Sequence, residues 1–523
     1  MELQKTFMDF TAGKAKFRLI FLLALVIFLI GIPFSRFLMS MGGVVLVINW
    51  FLEGNVIGKF KKAFSSNILL ICLLLYFAHI IWLIPSENLV YGMQDLWIKI
   101  PMFFIPIIFY TTEPLSQKEF RILLQIYIIG VFIGTFVGFV AYLIGYVEDK
   151  RGMAMYISYV RFGINVCFAC FVCLFLLPKS SISKYSKIGI VVALLWFLFF
   201  IFYSGFMTAI VLFIAVGLIL IVRQAIKNKN KFFRYTVPTL FFVIIFGSFI
   251  YILHIAKQYF KADFSIETAT KFTPDGNPYL HDTASTYIEN GNYLFTYICD
   301  KELESAWNKR SYIDYSETDK NGFSIRTTLI RYLNSKGLHK DRQGVEALTD
   351  EDICSIEHGI ANVKYTHNLN VINRLYILMW EIADYHHTGS VKGYSMSQRL
   401  ELWKNSVSLL KKHPYFGFGT GDVKDVFAQE LEQNHSPLAG TNMRSHNQYF
   451  TFSIAFGLIG LIIILFSMFY PATVLHRWKN SLFLTFFLIV LISMLTEDTL
   501  EPQDGATFFA FFYSFFLFLQ PIE

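Results

Sequence analysis

The chain has 523 residues, 55% of them hydrophobic and 18% aromatic, with a net charge of +7. That is more apolar side chain than a soluble core of this length can use, which excludes an ordinary soluble enzyme and makes lipid the natural solvent. The positive charge calls for no nucleic acid, because it lies in short segments beside apolar stretches, where membrane proteins carry Lys and Arg.

A span needs about 20 mainly apolar residues to cross about 30 Å of hydrocarbon. Twelve such stretches are predicted, near 17–34, 37–52, 67–85, 96–110, 120–146, 154–177, 187–203, 206–222, 235–256, 447–470, 481–496 and 506–520. The first follows Lys14, Lys16 and Arg18, but no small-residue cleavage site succeeds it and a second span comes at once, so it reads as a retained helix. Alternate loops carry Lys59, Lys61 and Lys62, then Lys118 and Arg121, Lys179, Lys184 and Lys187, Arg223 to Arg234, and Arg477 and Lys479. The intervening short loops hold only Arg36, Lys150 and Arg151. The positive-inside rule therefore predicts both termini in the cytoplasm and the long loop outside it.

The expected fold is an all-α polytopic membrane protein of about twelve transmembrane helices, with one large, mostly helical extracytoplasmic loop domain between the ninth and tenth spans. Its parts are an N-terminal bundle over 1–256, a loop domain over 257–445 and a C-terminal hairpin plus final span over 446–523. In the loop, Ile325, Leu329 and Leu333 recur at helical spacing. Thr349 and Asp352 form a capping-box-like start for a helix running to about Val363. Val371 to Tyr385 and Ser397 to Lys412 are further predicted helices. Cys299 and Cys354 fall in the loop, where a disulfide is permitted but not required. Cys167, Cys170 and Cys173 read as small residues packing inside a span rather than as cluster ligands.

In lipid the ionisable residues are informative, since a charge near mid-membrane is costly and usually serves a purpose. Arg161, seven residues into the sixth span and four before Asn165, is either an arginine snorkelling to headgroups or a fixed cation facing an interior cavity. Gly417-x-Gly419-x-Gly421 has neither the preceding strand nor the Lys-Ser/Thr of a phosphate loop, and reads as a turn that lets backbone approach its neighbour. Arg444, His446, Asn447 and Gln448 then run into a span. This puts a cation, an imidazole and two amides at a helix N-terminus, where backbone N–H groups favour anions. The last connection carries Glu497, Asp498, Glu501 and Asp504, either merely solvated or balancing the arginines and positioning a sugar hydroxyl. His386 and His387 are adjacent and diverge, so no metal centre is expected, and no Gly-x-Ser-x-Gly elbow is present.

Arg399-x-x-x-Trp403, His413-Pro414, the Gly417 to Gly421 turn, Arg444-x-His446-Asn447-Gln448-Tyr449 and Phe456-Gly457-Leu458-Ile459-Gly460 together resemble the core signature of the O-antigen ligase and polymerase family, over about 397–465. Thr328 to Tyr332, Lys340-Asp341 and Glu357 to Ala361 look like a variant with a longer outer insert. The resemblance implies a lipid-linked glycan transferase of the bacterial inner membrane. Such an enzyme moves a glycan from an undecaprenyl-diphosphate donor to a lipid A core or similar acceptor on the periplasmic face, metal-independent, inverting and without a cofactor. The family's essential histidine maps onto His446 and its loop arginine onto Arg399. One departure is Tyr203-Ser204-Gly205-Phe206, where the family carries a Ser-Arg pair, and Arg161 is the candidate replacement. Arginines suit diphosphate through forked hydrogen bonds, and a histidine suits the acceptor hydroxyl. The expected roles are His446 and Arg399 in catalysis, with Arg161, Arg444, Asn165, Asn447, Gln448, Glu497 and Glu501 binding substrate. A repeat-unit polymerase of the same family and a polysaccharide transporter or flippase are the alternatives. A transporter would be expected to show inverted repeats and midplane charge pairs, neither of which the sequence displays.

Overall fold

The structure, a computed structural model, describes residues 2–262, 269–282, 285, 287–365, 371–391 and 395–521, with side-chain detail beginning at Ala15. In chain order the α-helices are α1 (Glu2–Phe34), α2 (Arg36–Leu52), α3 (Val56–Phe64), α4 (Asn67–Ile81), α5 (Leu89–Lys99), α6 (Pro101–Thr111), α7 (Gln117–Leu143) and α8 (Tyr159–Leu176). There follow α9 (Lys184–Ser204), α10 (Met207–Ile226), α11 (Lys231–Phe260), α12 (Asp300–Trp307), α13 (Ile325–Ser335), α14 (Arg342–Glu346), α15 (Asp350–Glu357) and α16 (Val371–Thr388). The chain closes with α17 (Ser395–Lys412), α18 (Val423–Gln433), α19 (Gln448–Val474), α20 (Ser481–Ser493) and α21 (Gln503–Ser514). Serine and asparagine start many of them: Ser35, Ser66, Asn447 and Asn480 accept from the first free N–H groups, and Ser116 with Glu119 closes a full capping box.

Among the described residues, eight helical segments are long and apolar enough to cross a membrane, and the pair α2 and α3, bent by 109°, brings the number to nine. The chain is thus an all-α polytopic membrane protein. Each of the twelve stretches read from the sequence coincides with an apolar helix, but α4, α20 and the segment Gln503–Leu519 are shorter than a full span. α21 explains its own brevity. It is buried on every side, and Phe508, Phe512 and Phe516 close around Phe168 of α8 together with Phe486 of α20. A helix apolar all round belongs at the centre of a bundle, and this one anchors the acidic connection that precedes it.

The chain divides into two compact units, Met1–Tyr235 with Leu402–Glu523, and Thr236–Glu401. Residues 402–445, part of the loop in the sequence reading, pack with the first unit. The second unit is mostly helical around Leu303, Trp307, Leu329, Leu333 and Ile356. Thr349 caps α15 through the expected box, and the helix stops at Glu357 rather than near Val363 because His358 and Gly359 turn the chain. An Asn290-Gly291 turn, both residues at positive φ, joins the short antiparallel strands β1 (Ile288–Glu289) and β2 (Asn292–Tyr293). Arg331 donates twice to buried Glu289 and lies 3.4 Å over the Trp380 ring. Cys299, buried, and Cys354, exposed, are free thiols, and Cys167, Cys170 and Cys173 are buried within α8.

Candidate functional site

The site is held by a clamp around a break in α19. Gly457 interrupts that helix at φ 66° and ψ −174°, which frees the carbonyls of Ile454 and Ala455. Both accept from the Gly417 turn, through the N–H groups of Phe418 at 2.8 Å and Gly419 at 2.9 Å. In return Leu458 N–H donates to Pro414 O at 2.8 Å. The backbones approach so closely that a Cβ on Gly457 would stand 2.2 Å from the Tyr415 carbonyl, and one on Gly417 2.5 Å from Ile454 O. The turn is therefore a backbone clamp and not a phosphate cradle. It also grips the end of α4, since Thr420 N–H donates to Trp82 O and Asp422 accepts from Glu87 and Asn88 N–H. Non-helical backbone at membrane depth survives when it is satisfied in this way.

The α20–α21 connection is not a solvated loop. Its carboxylates are buried, and each meets a cation or hydrogen-bond donors from a different segment. Glu501 accepts from Lys99 of α5 at 3.0 Å, Arg444 at 2.9 Å and Gln448 at 2.7 Å. Lys99, fully buried, also donates to Asp95 one turn earlier, and Arg444 donates to the Tyr91 hydroxyl. Burial alone would push the Glu501 carboxyl up, but Lys99 and Arg444 outweigh it and hold it well below the usual range. Asp498 accepts from Thr451 at 2.6 Å and from the His446 N–H at 3.1 Å, yet burial dominates and raises its pKa. For Arg444 the neighbouring carboxylate overcomes desolvation and keeps the guanidinium firmly charged.

Between these carboxylates stands Glu497. Its Oε2 lies 3.6 Å from Arg161 Nη1 and 3.8 Å from His446 Nδ1. Arg161 is no snorkelling residue. Its side chain is 13% exposed, Nη2 donates to Asp498 O at 2.7 Å, and its Nε is buried without a partner among the described residues. His446 adopts a left-handed backbone (φ 49°), rare for a non-glycine residue, which turns its N–H to Asp498 and leaves the imidazole 40% exposed. Asn447 caps α19 and donates to Leu495 O. Asn165 donates to Arg161 O and accepts from the Tyr127 hydroxyl, so it steadies the helix beneath Arg161.

Eight sequence-predicted residues, Arg161, Asn165, Arg444, His446, Asn447, Gln448, Glu497 and Glu501, therefore gather around one connection in the first unit. Arg444 and Gln448 are committed to Glu501 rather than free. Arg399 lies on α17 in the second unit, where it donates to Ser395 O at 3.3 Å and its charge bears on Glu381. Lys99, Asp95 and Tyr91 escaped the sequence reading. The Asp95-x-x-x-Lys99 spacing inside an apolar segment was the available signal.

These features define the class: a polytopic helical membrane protein with a polar, ion-paired site built where a broken helix begins. Within it, the O-antigen ligase family model (Wzy_C) matches residues 360–465, so that stretch of the chain is similar to that family. The matched stretch includes Arg399, Arg444, His446, Asn447 and Gln448, while Arg161, Glu497 and Glu501 lie outside it. The match supports a ligase/polymerase-type glycosyltransferase. A search of curated proteins finds no match.

Proposed function

We propose that the protein transfers a glycan from an undecaprenyl-diphosphate carrier to a lipid A core or similar acceptor sugar, on the periplasmic face of a bacterial inner membrane, with inversion at the anomeric carbon. The observation that carries this reading is the Glu497 carboxylate shared between Arg161 and His446. An incoming diphosphate competes with Glu497 for Arg161, whose planar fork suits phosphate oxygens. Glu497 is then available to hold the Nδ1–H of His446, leaving Nε2 as acceptor for the proton of the attacking hydroxyl. The acceptor oxygen bonds to the anomeric carbon as the carbon–oxygen bond to phosphate breaks. The carrier diphosphate departs with the electron pair, its growing charge met by Arg161.

Two structural features support placing the leaving-group cation at Arg161 in the absence of the family's Ser-Arg pair. The Tyr159 ring is 5.8 Å from Phe206, and Gly163 of α8 meets Ala209 closely, so the Arg161 end of α8 abuts the α9–α10 turn. Arg444, held by Glu501 and Tyr91, serves to fix the segment that presents His446.

Reconstituted membranes supplied with lipid-linked glycan test this. His446→Ala and Arg161→Ala are each expected to lower transfer by about 100-fold or more, and near-normal transfer by His446→Ala overturns the assignment. In a deletion strain, long carrier-linked chains left unattached mark a ligase, and a core bearing one unit marks a polymerase. Counterflow of glycan without transfer would mark a transporter.

A further inference from the structure

At the end of the first unit that carries Arg18, Lys59 and Lys62, a cavity of about 1100 Å³ opens between α1, the α2–α3 bend and the α6–α7 connection. Its position follows from α3, which turns 109° away from α2 and carries Lys59, Lys61 and Lys62 beside the exposed apolar residues Ile57 and Phe64. A short basic, apolar helix turned across the bundle axis lies in a headgroup layer. The cavity is therefore at lipid headgroup depth, in the leaflet opposite the Glu497 site, because α1 and α2 each run from one end of the bundle to the other.

Most of its charges are already used. Arg18 is paired with Glu119 at 2.8 Å and donates to Glu113 O and Pro114 O, and Lys59 is held by Glu53 at 2.7 Å and Trp50 O at 2.6 Å. Among the described charges that line it, Lys62 and Glu113 remain, and Asn49 adds a buried acceptor. The Lys62 ammonium lies 5.7 Å over the Tyr110 ring with no ion pair among the described residues, and the Glu113 carboxylate has none either. Asn49 lines the cavity and is 5% exposed. Its amide nitrogen donates to Phe17 O, which fixes the amide's orientation, and its Oδ1 has no donor. A buried acceptor left without a donor is costly enough that native proteins seldom keep one.

We infer that this cavity binds a glycerophospholipid whose headgroup joins a phosphate to a primary ammonium, as in phosphatidylethanolamine. Lys62 takes the phosphate, the ammonium donates to Glu113 and Asn49 Oδ1, and Phe17, Phe21 and Trp50 face the glycerol and first methylenes. The balance of free charges rejects a purely anionic headgroup, which would leave Glu113 repelling it. The acceptors reject a quaternary ammonium, which has no N–H to give.

The test is native mass spectrometry of the full-length protein released from nanodiscs holding equal parts phosphatidylethanolamine, phosphatidylcholine and phosphatidylglycerol. The ethanolamine lipid should be retained about tenfold over each competitor, the worth of one hydrogen bond to a buried or charged acceptor. Glu113→Gln should erase its preference over phosphatidylcholine, and Lys62→Gln should lower retention of both. Both side chains are at the surface, so the variants remain folded by size exclusion. Equal retention of choline and ethanolamine lipids, or preference for phosphatidylglycerol, overturns the proposal. Displacement by soluble O-phosphoethanolamine at lipid-equivalent concentration overturns the lipid source in favour of a free headgroup.

Discussion

Replacing Lys99 and Asp95 together is expected to cost clearly less than the sum of the two single replacements. Lys99 is 0% exposed, and its ammonium lies 3.0 Å from Glu501 while also bonding Asp95. At an effective dielectric of about 20, a contact of this length is worth about 5 kcal/mol, and the cost of desolvating both ions offsets most of it. The group of Asp95, Lys99, Arg444 and Glu501 contains two cations and two anions. Lys99→Met leaves an uncompensated buried carboxylate and Asp95→Asn an uncompensated ammonium, so each single change should destabilise by about 3 kcal/mol. The double variant leaves Arg444 and Glu501 as a neutral pair, and should recover about 2 kcal/mol relative to the sum of the singles. Denaturant titration of the detergent-solubilised protein, followed by tryptophan fluorescence, measures the cycle. A coupling within about 0.5 kcal/mol of zero would refute the reasoning.

Gly457→Ala forces a Cβ into the Tyr415 carbonyl at a backbone conformation open only to glycine, and should cost about 3 kcal/mol. Gly189→Ala in α9, with nothing near its Cβ, should change stability by less than about 1 kcal/mol in the same titration. In the second unit, burial outweighs the Glu289 carboxylate and pulls the Lys340 ammonium down to about 7. The unfolded chain, with an ordinary lysine near 10.4, then binds more protons than the folded one between those values. Stability should therefore rise with pH across that window and stay flat below it. Lys340→Met should abolish the slope and stabilise the protein at pH 7, as denaturation midpoints at several pH values would reveal. Glu497→Gln frees Arg161 but can no longer hold the imidazole through a charge, so the donor KM should fall while kcat drops at least tenfold. A raised KM with unchanged kcat would place Glu497 in substrate binding instead.

Local signals carried well from sequence to structure. The Thr349 box, the four-residue spacing of Ile325, Leu329 and Leu333, and the close backbone approach at Gly417 each depend on neighbours in sequence or on glycine alone. Non-local pairings did not carry. Lys99 falls inside the predicted stretch 96–110 with no partner beside it that the sequence singles out, because Glu501, which it bonds, lies far along the chain. Arg161 was legible as costly, but its two readings were separable only by Glu497 and the Asp498 carbonyl. For Arg444 the sequence left substrate binding and pairing with the acidic connection both open, and the contact with Glu501 shows the pairing.

The acidic connection explains why the site is assembled before any substrate arrives. Buried arginine and lysine without counter-charges would be unaffordable at membrane depth. Glu497, Asp498 and Glu501 supply those charges from one short segment, anchored on one side by α20 and on the other by the aromatic packing of α21. Their bonding is unequal. Glu501 is gripped by two cations and an amide within 3.0 Å, whereas the charged contacts Glu497 makes with Arg161 and His446 are 3.6 and 3.8 Å long. Coulomb attraction weakens with distance and short charge-assisted hydrogen bonds are the strong ones, so Glu501 holds Arg444 more tightly than Glu497 holds Arg161. The tighter pair keeps α19 and His446 in place. On the proposed transfer, the connection thus separates the cation that holds the site, Arg444, from Arg161, the cation assigned to the diphosphate.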